Sequence, residues 1–529
     1  MKHLPYLAVE ILTWGRARTP FRVVATAAKG LADLPTGRRR SAQGSSVGLI
    51  SLIAVVLLAR LATLSATAAE SRPNIVLLMA DDQGWGETGY NGHPQLKTPV
   101  LDEMSRSGLR LDRFYAASPV CSPTRASVMT GRHANRSGAF APNWSTRPEE
   151  ITLAQILKAA GYRTGHFGKW HLGAVKKESP LNPHRMGFDE YLSHDNFFEM
   201  DPPLSRNGEP PQIIKGESSE IVVAEAAKFA RQVRAEGKPF FIVVWFGSPH
   251  GPYSGLAKDI ALYQGVKKEE MRLRFAEVTA MDRAIGTMRQ TLRDLKVADD
   301  TLFWFNSDNG IPVANEEDSF NGGWRGRKGE VYEGGLLVPA IIEWPAVIRT
   351  ARRSSVACVT SDILPTVLDL LGLKHPKPER PIDGISLKTL IVDGTMQQRP
   401  TPIGFWKYPS AGEAKNERWV VKELSTGTTP TTKQANILFN NYRHPVARTE
   451  DFGGDAAWTD TRYKLVAIPA ATARKKKQSV PALSLYDLQA DPKETRDIAA
   501  QHPEIVQRMK AQLEAWQRSV DRSLSGADY

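Results

Sequence analysis

Asn74-Ile75-Val76-Leu77-Leu78-Met79-Ala80-Asp81-Asp82 is an apolar run of strand length that ends on two adjacent carboxylates. Two later stretches share this grammar. Phe240–Phe246 is β-branched and aromatic and runs into Gly247-Ser248-Pro249, and Thr301–Phe305 runs into Asn306-Ser307-Asp308-Asn309-Gly310. Each reads as a strand entering a loop. Between and after such runs lie amphipathic stretches. Glu150–Ala160 places Ile151, Leu153, Ile156 and Leu157 on one helical face before Gly161, a C-cap residue, and Met271–Leu295 reads as one long helix. Short apolar runs alternating with helical stretches predict an α/β domain built on a largely parallel sheet.

The pattern changes around Asp383-Gly384-Ile385-Ser386-Leu387, where Pro, Gly and Thr-rich sequence takes over through about Thr432. A smaller C-terminal α+β region is expected beyond it, ending in a helix from Pro503 to about Val520. Lys475-Lys476-Lys477 reads as a solvated loop. The organisation expected is an N-terminal extension and export signal over 1–69, a catalytic domain over 70–395 and a C-terminal subdomain over 396–529. At 529 residues and 41% hydrophobic composition the chain can bury a large core.

The leader rests on Arg38-Arg39-Arg40, an apolar run from Val47 to Leu64 broken by Arg60, and Ala66-Thr67-Ala68, which has the form of a cleavage signal. It implies a bacterial-type signal peptide and an exported, periplasmic or extracellular protein with no stable membrane span after cleavage. An uncleaved anchor is the alternative reading of the same run. Residues 1–69 hold nine Lys and Arg against Glu10 and Asp33, so +7 of the formal +12 sits there and +5 is left for the rest. The basic balance therefore argues for no nucleic-acid partner. Two cysteines, Cys121 and Cys358, exclude a disulfide framework but not a single bridge.

Asp81-Asp82 and Asp308-Asn309 both follow strand-like runs, and ligands collect beyond the carboxyl ends of strands in open α/β sheets. Three carboxylates and an amide oxygen form a hard, all-oxygen set suited to calcium or magnesium. Cys121-Ser122-Pro123-Thr124-Arg125 is followed by Ala126-Ser127-Val128-Met129-Thr130-Gly131-Arg132, a plausible helix start that sets Cys121 in the positive field of a helix N-terminus.

Cys121-x-Pro123-x-Arg125 followed by Thr130-Gly131-Arg132 resembles the signature of the type I, formylglycine-dependent sulfatases. The second signature of that family has its counterpart in Gly161-Tyr162-Arg163-Thr164-Gly165-His166-Phe167-Gly168-Lys169-Trp170-His171-Leu172-Gly173. Pro73-Asn74-Ile75, Ser248-Pro249-His250, Lys328-Gly329, Tyr332-Glu333-Gly334-Gly335 and Leu485-Tyr486-Asp487-Leu488 extend the likeness over roughly residues 72–520. Thr124 and Val128 depart from the commoner residues and leave the Cys, Pro and Arg intact.

The resemblance implies an alkaline-phosphatase-like α/β/α sandwich with a large mixed, mostly parallel sheet and a smaller C-terminal subdomain with an antiparallel sheet. It implies that a maturating enzyme, formylglycine-generating or sulfatase-maturating, converts Cys121 to formylglycine, whose hydrate offers two hydroxyls. One attacks sulfur, and loss of the other's proton expels sulfate. One Ca2+ ion would be held by Asp81, Asp82, Asp308 and Asn309, with the residue at Cys121 beside it. Arg125 and Lys169 would hold the nucleophile, His171 would take the second hydroxyl's proton, and His250 and Lys328 would bind sulfate and protonate the leaving oxygen. Exchanging the two histidines leaves the reaction class the same. With a divalent ion the site carries about +2, and each close pair contributes ~4 kcal/mol at intermediate dielectric, which suits a monoanionic ester.

The branch most similar is that of arylsulfatase A and N-acetylgalactosamine-6-sulfatase, so a sulfated carbohydrate or aryl sulfate is the implied substrate. A phosphonate monoester or phosphodiester hydrolase of the same superfamily is the rival enzyme, and Asp308-Asn309 in place of an Asp-His pair argues for one metal and against it. A non-catalytic sulfated-glycan binder is the rival non-enzyme. Trp324, Arg327, His194, Asp195, Asn196 and Trp406 lie in polar stretches suited to a substrate pocket.

Overall fold

Residues 74–80 form strand β1, and all seven are buried. Ile75, Leu77 and Met79 enter one hydrophobic core, while Val76, Leu78 and Ala80 enter another. A strand whose alternate side chains serve two cores must be covered on both faces. The computed structural model of the chain describes residues 72–142, 144–196, 198–312, 320–408, 452–469 and 482–529. The stretch expected to be an export signal, the Lys475-Lys476-Lys477 run expected to be a loop and the Thr-rich stretch near Thr432 lie outside them.

β1 belongs to a ten-stranded sheet with β2 (Leu109–Leu111), β3 (Arg163–Lys169), β4 (Glu190–His194), β5 (Pro203–Arg206), β6 (Gln212–Ile213), β7 (Phe240–Trp245), β8 (Thr301–Ser307), β9 (Ala340–Glu343) and β10 (Arg352–Ser354). The order is β10-β2-β9-β8-β1-β7-β3-β4-β5-β6. The central strands β8, β1, β7, β3 and β4 are parallel, and β9 and β5 flank them in antiparallel register. Helices α2 (Cys121–Thr130) and α3 (Leu153–Ala159) pack into the first core, and α1 (Pro99–Ser107), α4 (Ser218–Ala235) and α5 (Glu269–Asp294) into the second. This is the expected α/β/α sandwich around a mixed, mostly parallel sheet.

The long helix α5 spans the expected stretch within two residues at each end. α3 begins later than the apolar pattern suggests because Thr152 and Gln155 form a capping box. It ends as anticipated: Gly161 adopts φ +92°, its N–H donates to Lys158 O at 3.0 Å, and Tyr162 N–H donates to Leu157 O at 3.0 Å.

Beyond the large sheet, β11 (Ile403–Trp406), β12 (Ala456–Thr459), β13 (Tyr463–Ala467) and β14 (Leu483–Asp487) form a four-stranded antiparallel sheet. Helix α6 (Pro503–Leu524), a turn longer than its pattern predicts, lays Met509, Leu513, Val520 and Leu524 on one face of that sheet. The other face carries Phe405, Ala457, Val466 and Tyr486 against Tyr115, Leu336 and Val359. Among the described residues no helix is long and apolar enough to cross a membrane.

Candidate active site

The parallel register brings the ends of β1, β8, β7 and β3 to one edge of the sheet, and the charged residues stand there. Asp81 and Asp82 follow β1, Asp308 and Asn309 follow β8, His250 lies in the loop after β7, and Lys169 ends β3 with His171 two residues beyond it. α2 adds Cys121 and Arg125 from its first turns, with Val120 as N-cap. Asp81, Asp82, Arg125, Lys169, Asp308 and Asn309 are each at most 2% exposed.

Asp82 is the hub. Its backbone takes φ +68°, an unfavourable conformation for a side chain with a Cβ, and its N–H donates to Asp308 Oδ1 at 3.0 Å. Asn309 Nδ2 donates to Asp82 Oδ1 at 2.7 Å. Lys328 Nζ lies 2.6 Å from Asp82 Oδ1, and His250 Nε2 lies 3.7 Å from Asp82 Oδ2. Lys169 Nζ pairs with Asp81 Oδ2. Arg125 Nη2 contacts Asp308 Oδ2 at 2.7 Å and Asp81 Oδ2 at 3.5 Å. Cys121 Sγ is 3.4 Å from Asp81 Oδ1. Every residue expected in the catalytic and metal sets except His171 is thus tied to the others by a direct contact. His171, 1% exposed and at φ +55°, stands beside Lys169 with neither ring nitrogen hydrogen-bonded to a described residue.

The electrostatics follow from burial. Burial opposes charge on Asp81, but Lys169, His250 and Arg125 outweigh it and hold the carboxyl well below its usual range. Asp308 is pushed up to about 7 by burial and by Asp81, against the pull of Arg125 and Lys169. Burial and the nearby Lys169 and Arg125 charges keep His171 neutral. The Cys121 thiol is pushed up by burial and by Asp81. A buried thiol held protonated beside a carboxylate is a poor nucleophile, despite its place at a helix N-terminus.

A hard cation fits this donor set. Asp81, Asp82, Cys121 and His250 can bring one donor atom each within 4.8 Å of one another. Asn309 Oδ1 is a buried acceptor with no hydrogen-bond partner among the described residues, and burial together with the Asp81 and Asp82 carboxylates favours protonation of Asp308. Carboxylate and amide oxygens crowded in this way are the ligands calcium takes. His250 enters this group of four, whereas Asp308, which the sequence also singles out, is not among them.

The family profile described as Sulfatase matches residues 73–373, which is more than half of the chain. The chain belongs to the sulfatase family. It is 34% identical to N-acetylgalactosamine-6-sulfatase of Sus scrofa over 382 residues, 65% of this chain and 71% of that protein. Arylsulfatase A of Homo sapiens is 29% identical over 493 residues, covering 86% of this chain and 89% of the relative. Ps i-CgsB, solved in complex with k-i-k-neocarrahexaose, shares the fold at a TM-score of 0.71 and 23% identity, covering 86% of this chain and 94% of that one. The enzyme class expected from the two signatures is therefore borne out: the chain is a sulfatase with an alkaline-phosphatase-like fold.

Around the sulfatase centre, Trp324 packs edge-on against Trp85 at 5.3 Å. His194 and Asp195 accept the Trp170 and His171 N–H groups through their carbonyls. Trp406 is buried in the core under α6 and belongs to the C-terminal sheet. Two charged residues that the motifs do not mark, Glu87 and Arg274, stand directly behind Asp82.

Proposed function

We propose that this sulfatase is exported and hydrolyses the sulfate ester of a sulfated carbohydrate, accepting aryl sulfates as surrogates, with formylglycine at Cys121 and one calcium ion. The observation that carries the reading is the convergence of three aspartates, Asn309 and three cations on the Cys121 side chain. The name of the N-acetylgalactosamine-6-sulfatase relative supports a carbohydrate substrate, and that of arylsulfatase A an aryl sulfate.

Asp81, Asp82, Asp308 and Asn309 would hold the calcium, which would polarise the sulfate oxygens and the attacking hydroxyl. Conversion of Cys121 would replace a thiol held protonated by two hydroxyls on one carbon. Arg125 and Lys169, fully buried and charged, position the nucleophile and the anionic ester. His171, with neither ring nitrogen hydrogen-bonded to a described residue, would take the second hydroxyl's proton as sulfate is expelled, although burial and the Lys169 and Arg125 charges oppose its protonation. The side chains of Lys328 and His250 are 20% and 21% exposed, whereas those of Arg125, Asp81 and Lys169 are at 0%. The sugar must therefore lie on the Lys328 and His250 side, where those two meet the leaving oxygen. Overall, water and the ester give alcohol and inorganic sulfate, and the leaving oxygen gains a proton.

The test is sulfate release by the processed protein in calcium buffer, after peptide mass confirms formylglycine at Cys121, with 6-sulfated N-acetylgalactosamine and an aryl sulfate in one panel. Faster turnover of the sugar supports a carbohydrate sulfatase. Cleavage of only a phosphonate or phosphodiester would overturn the substrate class, and an unmodified thiol in active protein would overturn the nucleophile.

A further inference from the structure

Arg274 lies within α5, and its side chain is fully buried beneath the candidate active site. All five of its N–H donors are used. Nε donates to Glu87 Oε1 and Nη2 to Glu87 Oε2, both at 2.7 Å. Nη2 also donates to Asp82 O at 2.7 Å, while Nη1 donates to Pro249 O at 2.6 Å and to Tyr253 Oη at 3.1 Å. Asp82 and Pro249 belong to different loops, one following β1 and the other following β7 and carrying His250. Glu87 is itself anchored, since Gly84 N–H donates to its Oε2 at 2.8 Å and Gln83 Nε2 to its carbonyl at 2.7 Å.

We infer that Arg274 and Glu87 are positioning residues that set the placement of Asp82 relative to His250. The inference rests on the reading of Asp82 as a metal ligand and of His250 as a group beside the leaving oxygen. Asp82 is held in a left-handed conformation that costs free energy, so something must fix it. The carbonyl of that same residue is an acceptor for the guanidinium. A buried charge network with every donor satisfied is rigid, and removing one member leaves the rest unpaired. Lysine, a point charge with three donors, cannot span two loops and a carboxylate at once.

The experiment compares mature wild-type enzyme with Arg274→Lys, Glu87→Gln and the control Arg289→Lys. Arg289 lies about four turns further along the same helix and makes a two-point pair with Glu343 at 2.8 and 2.9 Å. Read well below the lowest Tm of the set, kcat of Arg274→Lys should fall by about 10- to 100-fold with KM changed less than about threefold, since misplacement by 1 Å costs on that order. Glu87→Gln keeps the shape and weakens the pair, so its kcat should fall less. The rise in Tm on adding calcium should shrink in both variants and stay at the wild-type value in Arg289→Lys. Wild-type kcat in Arg274→Lys and Glu87→Gln, or an equal loss in Arg289→Lys, would overturn the positioning role. A wild-type protein whose Tm ignores calcium would instead overturn the metal reading, and kcat alone would then decide the role of Arg274.

Discussion

Arg125 Nη2 lies 2.7 Å from Asp308 Oδ2, and neither side chain reaches solvent. The contact joins the helix of the first signature to the loop after β8, and Arg125 Nη1 donates to Lys169 O at 3.1 Å to tie in the second signature. Arg125→Met would keep the volume and remove the charge, leaving a buried carboxylate without its closest cation. The expected loss is about 3–5 kcal/mol in urea unfolding at neutral pH, together with loss of turnover. Added calcium should restore part of that stability, because it would serve the same carboxylate. A loss below about 1 kcal/mol would show that Asp308 takes up a proton or finds another partner.

Gly310 explains why two separated motifs carry glycines. A Cβ at Gly310 would stand 1.9 Å from the Gly334 carbonyl oxygen, and Gly310 N–H donates to Gly335 O at 3.0 Å. The loop bearing Asp308 and Asn309 is thus packed backbone to backbone on the Tyr332-Glu333-Gly334-Gly335 segment. Gly310→Ala should cost about 1–3 kcal/mol by overpacking and weaken calcium binding through the neighbouring Asn309. Gly161 makes a useful contrast: its φ is +92°, but nothing lies within 4 Å of a Cβ there. Gly161→Ala should cost about 1–2 kcal/mol from backbone strain alone and leave calcium affinity unchanged. Thermal melts with and without calcium separate the two, and equal calcium responses in both variants would refute the packing argument.

The central strands were legible because they are buried on both faces, which leaves runs such as Ile75–Ala80 and Phe240–Trp245 without polar interruption. Strand β3 was not. Arg163–Lys169 contains Gly165, Gly168 and His166, and it is strand because β7 and β4 pair with it. Gly168 sits where a Cβ would meet the Trp245 carbonyl at 1.9 Å, a close approach that only the assembled sheet reveals. The antiparallel flanks β9, β5 and β6 are short, and their direction depends on tertiary partners. In the site, motif spacing marked Asp81, Asp82, Cys121, Asp308 and Asn309. Arg274 carried no such signal: its neighbours Met271, Phe275 and Val278 are core residues, and a single charge among them reads as a helix edge until its five hydrogen bonds are seen.

Asp383 joins the catalytic part of the chain to α6. Arg136 Nε and Nη2 reach its carboxylate at 2.7 and 2.9 Å, Trp516 Nε1 donates at 2.8 Å and His133 N–H at 2.6 Å. Burial works to raise its pKa, but the charge and hydrogen bonds of Arg136 and the His133 N–H hold it well below the usual carboxylate range. A carboxylate with a depressed folded-state pKa contributes stability that is present above its unfolded value of about 3.9 and is lost as pH falls toward the folded value. Asp383→Asn should therefore destabilise the protein by about 3–5 kcal/mol at pH ~7, where Arg136 is left buried with a neutral partner. The gap to wild type should narrow as pH drops below about 4, because wild-type Asp383 then loses its advantage over the unfolded chain. Urea midpoints of the two proteins across that range test this directly. A gap that stays constant down to the lowest pH at which both fold would mean that shape, not charge, makes Asp383 hold α6 in place.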